Sequence, residues 1–199
     1  MRILDVFVVA TFAAGLASSA AQSAGQTQRL MATTIPLGAS PTSSVLSAIW
    51  QDRLVSEREK LESLSKLASN APPLSSDAPV NAFVASFKDG DKTIIVSTLF
   101  TTPECANFSG AAAPNLNNCP MRVAVLQDGQ IRIVATVSDF PFVAALKDVA
   151  NDKENEFDNQ TPRNKTMVMF DDATHEITTA LTLNGVLDNE KSIPLKIAY

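Results

Sequence analysis

The chain has 199 residues, 16 Lys and Arg against 21 Asp and Glu, a formal net charge of −5 and only 6% aromatic residues. An acidic chain with few stacking side chains and no Lys/Arg cluster lacks the surface that nucleic-acid binding or adhesion to anionic lipid requires. Phosphate-rich partners are therefore not expected.

Residues 1–20 read as a secretory signal peptide. Arg2 supplies a short positive region, residues 6–16 a mostly apolar core, and Ala20, Ala21 and Ala24 are small residues suited to cleavage. The apolar run is shorter than the roughly 20 residues of a membrane-spanning helix, so no integral membrane segment is expected after cleavage. Asp5 fits the pattern poorly, and no Cys lies nearby to carry a lipid anchor. The expected location is periplasmic or secreted.

Residues 21–43 are polar, broken by Gly25, Pro36, Gly38 and Pro41, and read as a flexible tail. Residues 44–68 read as a helical arm, capped by Thr42 or Ser43. Its stripe is Leu46, Trp50, Leu54, Leu61, Leu64 and Ala68, interrupted at Glu57. Arg53–Glu57, Arg58–Glu62 and Glu62–Lys66 are spaced for pairing on the wet face. The stripe suits packing on the chain's own sheet, or pairing with another copy in a homo-oligomer. Residues 69–79, with Pro72, Pro73 and Pro79, form a linker.

From residue 80 the pattern becomes β. Runs at 80–88 and 92–100 flank Asp89-Gly90, and runs at 121–127 and 130–137 flank Asp128-Gly129. Asn184-Gly185 repeats the device between 175–183 and a short run at 186–188. Such pairs are strong hairpin signals because glycine accepts positive φ without steric cost. In the second hairpin the turn sets Leu126 opposite Ile131, Val125 opposite Arg132, Ala124 opposite Ile133 and Val123 opposite Val134. Apolar side chains on both faces call for cover on both sides. Residues 138–152, with Pro141 at the start and Phe142, Leu146 and Val149 on one side, read as a covering helix. Strands follow at 166–170, 175–183 and 193–198, and Pro194 marks the last as an edge.

The order of elements predicts an α+β fold, an antiparallel sheet built from hairpins with one or two packed helices; a β-sandwich is the alternative. Residues 80–199 form the β-rich domain, which Cys105 and Cys119 staple as a disulfide in an oxidising compartment.

The ring between the cysteines is uncharged, and its small residues leave backbone exposed. Asn107, Phe108, Ser109, Asn115 and Leu116 make it a candidate binding loop for a protein or glycan partner, beside its plainer role as a staple. Asp171, Asp172, His175 and Glu176 are weak candidates for a metal or acid–base site; the plainer reading is a polar hairpin turn. Asp152, Glu154, Glu156 and Asp158 alternate like half of a calcium loop, but Phe157 and Arg163 stand where that loop needs Gly and Glu. No cofactor motif, nucleophile elbow or phosphate loop occurs. The sequence thus points to a non-catalytic, exported binding or interaction protein. The alternatives are a secreted hydrolase or metal-dependent enzyme using an acidic loop, and a secreted effector or inhibitor using the Cys ring.

Overall fold

The computed structural model describes residues 25–67, 74–101, 105–107, 116–143, 165–183 and 185–198. It is built mostly of antiparallel strands in two open sheets with two helices, the expected α+β class. Strands β1 (Gln26–Arg29), β8 (Lys165–Asp171), β9 (Glu176–Leu183) and β10 (Val186–Lys196) form the smaller sheet in that order. The larger runs β2 (Met31–Pro36), β3 (Pro79–Asp89), β4 (Lys92–Phe100), β6 (Leu116–Gln127) and β7 (Gln130–Val143). The short β5 (Ala106–Asn107) lies beside the start of β6.

The central strands of the larger sheet are buried on both faces, so their sequences are nearly continuous apolar runs. Phe83, Ala85, Phe87, Ile94, Val96, Met121, Val123 and Val125 face the smaller sheet's Val168, Phe170 and Ile177. Rings from both sheets meet there, with Phe87 5.8 Å from Phe170. Ala82, Ile95, Leu99 and Ala124 face the other way, under α1 (Val45–Ile49) and α2 (Gln51–Leu67). The two sheets thus stack as in a sandwich, and the helices add a third layer.

The turns form where Gly was expected to place them. Gly90, Gly129 and Gly185 take φ of 59, 74 and 82°. Leu126, Val125 and Ala124 pair with Ile131, Arg132 and Ile133 as the Asp128-Gly129 turn requires. Val123, however, pairs with Ala135 rather than Val134, because a bulge inserts one residue into β7. An added Cβ at Gly129 would touch nothing within 4 Å, so its cost is conformational alone. Gly129→Ala should therefore lower stability by about 1 kcal/mol, measured by urea unfolding. Pro194 does lie in an edge strand, β10, whose register shifts between Asp188 and Ile193.

Five expectations need correction. The tail at 21–43 holds β1 and β2, and the chain crosses from one sheet to the other at Leu30, whose side chain is buried between them. The helix at 44–68 is two helices, because Trp50 leaves helical geometry (φ −110°, ψ 14°) where it enters the core. Its cap is Ser44, whose Oγ accepts from the Ser47 N–H at 3.0 Å. Along the stripe, Trp50 and Leu54 are buried and Leu61 is half-buried, but Leu64 is 60% exposed. The buried position between Leu54 and Leu61 is Glu57, with Lys60 Nζ 3.9 Å from its carboxylate. On the wet face Arg58 and Glu62 stand 3.8 Å apart, as their spacing suggested.

The fifth concerns the covering helix. Residues 138–143 continue β7, where Phe140 and Phe142 stack with ring centroids 6.1 Å apart. Their spacing of two points both into the sandwich core, so the strand period prevails over the helical one. Residues 144–152 of that expectation lie outside the described residues.

Candidate interaction site at the disulfide neck

Cys105 and Cys119 are bonded, with S–S 1.98 Å and Cα atoms 4.4 Å apart. Cys119 is fully buried between the sheets, which ties the neck of the ring to the core. Three further constraints act at the neck. The Cys105 N–H donates to the Thr101 carbonyl at 2.9 Å, so the chain turns directly after β4. Ala106 and Asn107 pair with Asn118 and Asn117. Leu116 is buried against Val143 and Leu181, where β6, β7 and β9 come together.

Of the candidate loop residues, Asn107 therefore belongs to the ladder of the neck and Leu116 to the core, where it is withdrawn from any partner. Phe108, Ser109 and Asn115 lie outside the described residues. The sequence showed Leu116 only as one of two bulky apolar groups in the ring. Its anchoring depends on Leu181, far along the chain.

The neck lies at one end of the sandwich. β3 and β4 meet there as Asn81 opposite Phe100, and residues 74–76 lie below that end, bonded to the chain leaving β2 through Ser76 and Gly38. α2 runs past them, with Arg58, Glu59 and Glu62 beside Leu74–Ser76. A groove of about 670 Å³ follows its last turns, lined by Glu57, Lys60, Leu61, Leu64 and Leu67. The β9–β10 hairpin closes at the same end, since Val143 N–H donates to Thr166 Oγ1 and Lys165 pairs with Thr182. Val186 and Leu187, both exposed, follow that hairpin turn, and Leu64 and Leu67 are exposed on the last turns of α2.

The acidic turn lies at the opposite end. Asp171 Oδ1 accepts from the N–H groups of Ala173 and Thr174 at 2.9 and 3.2 Å, the geometry of an Asx turn. His175 takes positive φ (54°) and its carbonyl accepts from the Ile197 N–H at 3.1 Å. Its Nδ1 stands 3.5 Å from Asp89 Oδ2 on the neighbouring β3–β4 hairpin. Asp171 pairs with Glu176 to close β8 and β9, and Asp172 lies in the turn between them. Among the described residues no three His, Cys, Asp or Glu side chains gather as a metal site would require. Asp152, Glu154, Glu156 and Asp158 lie outside the described residues.

One cluster had no counterpart in the sequence reading. Arg122 on β6 donates through Nη1 and Nη2 to Asp52 Oδ1 and Oδ2 at 2.6 and 2.7 Å, and through Nη1 to the Ile49 carbonyl at 2.6 Å. Its guanidinium lies 4.6 Å from the Trp50 ring, and Trp50 Nε1–H donates to Ser97 Oγ at 3.0 Å. The hydrogen bonds from Arg122 hold the Asp52 carboxyl below its ordinary value of 3.8. This cluster fastens the helical layer to the sheet. An isolated Arg in an apolar strand, paired across a hairpin with Thr136, was the available signal.

Among the described residues no helix is long and apolar enough to cross a membrane. The disulfide is compatible with an oxidising, exported environment. No family model, curated protein or solved structure matches this chain.

Proposed function

We propose that this chain is an exported, non-catalytic binding module of the periplasm or the extracellular space, and that the loop closed by Cys105–Cys119 is its contact element. The observation that carries the reading is the neck: a disulfide, a strand ladder and a buried Leu116 fix both ends of a loop whose own residues are small and uncharged. Fixing the ends of a contact loop beforehand lowers the ordering entropy lost on binding. The exposed apolar groups Val186 and Leu187, just past the β9–β10 turn at the same end, suit the rim of a protein contact.

Two measurements test this reading. The exported protein should lack about its first 20 residues by intact mass, as leader removal requires, and should take up alkylating agent only after reduction. A full-length chain with two free thiols would overturn export. Replacing residues 109–115 by Gly and Ser at equal length should leave the melting temperature unchanged and abolish cross-linking to the partner recovered with the unaltered protein from the exported fraction. Equal recovery by both proteins would end the contact-loop reading.

A further inference from the structure

The two sulfurs of the staple stand in different surroundings. Cys119 has no exposed surface, and its neighbours on the same face of β6, Asn117 and Met121, are buried with it. Its partner on β7, Phe140, is buried as well. Cys105 packs against that core from outside and keeps part of its surface in solvent. The Leu99 carbonyl oxygen lies 3.4 Å from Cys105 Sγ, so the negative end of a peptide dipole stands beside that sulfur.

Thiol–disulfide exchange proceeds by attack of a thiolate on one sulfur, while the other departs with the bonding electron pair. In the folded chain a thiolate from solvent reaches Cys105 alone. The new bond joins the incoming sulfur to Cys105 Sγ, the old S–S bond breaks, and Cys119 leaves as a thiolate. A second thiolate then attacks the incoming sulfur of this mixed disulfide and expels Cys105. Each protein thiolate takes a proton from water, and the reductant ends as its own disulfide. The first step is the slow one. It places a negative charge on a sulfur withdrawn from water into an apolar core, and the attacking anion must approach beside the Leu99 carbonyl.

We propose that this disulfide is one-sided: external thiols enter only through Cys105, and folding locks the bond by making buried Cys119 the obligatory leaving group. The bond is then a lock that opens on unfolding rather than a redox switch, and Cys105 is the sulfur at which an oxidant or a capping thiol engages a reduced chain. The inference rests on the burial of the two sulfurs and not on the contact-loop reading.

Two single-cysteine variants separate the sulfurs. With an aromatic disulfide as reagent, Cys105 in Cys119→Ala should react in native buffer at least about tenfold faster than Cys119 in Cys105→Ser, and both should react alike in denaturing urea. Equal native rates, in variants whose Trp50 fluorescence matches that of the folded protein, would overturn one-sided access. The unaltered protein supplies a second measurement should either variant unfold. Its opening by glutathione should be at least about a hundredfold slower in native buffer than in urea, because burial withholds the leaving sulfur. The acid-quenched mixed disulfide should carry glutathione on Cys105. Native opening at the urea rate would overturn the lock, and glutathione on Cys119, or on both cysteines in equal amount, would overturn the entry route.

Discussion

Asp52→Ala should cost about 2–3 kcal/mol of folding stability, more than Arg122→Met, although Asp52 is much the more exposed partner. The Arg122 side chain is only 10% exposed against 61% for Asp52. Removing Asp52 leaves a largely buried guanidinium with the Ile49 carbonyl and the Trp50 face but no counter-ion. Removing the arginine lets the carboxylate return to water, where it still favours the start of α2. Arg122→Met keeps much of the apolar stem and should cost about 1–2 kcal/mol, chiefly for the lost bond to Ile49. Trp50 is the single tryptophan and is fully buried, so its fluorescence reports urea unfolding of both variants. If Met at 122 cost more than Ala at 52, the cluster would act by packing rather than by charge.

The pH dependence follows from the same contacts. Arg122 lowers the folded pKa of Asp52 below its ordinary 3.8, so the stabilisation is fully present above that value and is lost as pH falls through the folded one. The stability gap between the unaltered protein and Asp52→Ala should be constant from pH 7 to about 5 and should narrow below about 4. A gap that widens with acid would contradict the assignment.

Replacing both cysteines, Cys105→Ser with Cys119→Ala, should lower stability by about 3 kcal/mol, the loop-entropy expectation for a ring of this size. The sequence separation is 14, and Ala at 119 keeps an apolar group in the core. Reduction of the unaltered protein should give the same shift in the urea midpoint. A loss well under 1 kcal/mol would mean that the β5–β6 ladder and buried Leu116 hold the neck without the covalent bond. On the binding reading, cross-linking through the loop should weaken even where the double variant remains folded, because its ends are no longer held together.

The hairpins were legible because their signals are local. Asp128-Gly129 sets its own register over several pairs, and Pro194 excludes itself from a central strand wherever the rest of the chain goes. The candidate site was legible to the same depth: the pairing of Cys105 with Cys119 was expected from there being two cysteines in a chain that opens like a signal peptide, whereas the burial of Leu116 required Leu181. Phe140 and Phe142 were misread because Pro141 between them resembles a helix start, and only the stacked sheets make their common direction apparent. β1 and β2 were hidden for a different reason. Crossing between sheets at Leu30 breaks the alternation, and the pairing of Gln26 and Gln28 with Ser86 and Lys88 joins segments about 60 residues apart.

By itself the sequence determined the acidic character, the β-rich class, the turns and the edge position of the last strand. Each follows from composition or from residues within a few positions of one another. Tertiary structure alone decided that the helix breaks at Trp50, that Leu64 stays outside while Glu57 goes in, and that an Arg in the middle of β6 is matched by a carboxylate on α2. Those outcomes depend on which surfaces meet, and the energies that select them, burial and charge pairing across long separations, leave no period in the chain.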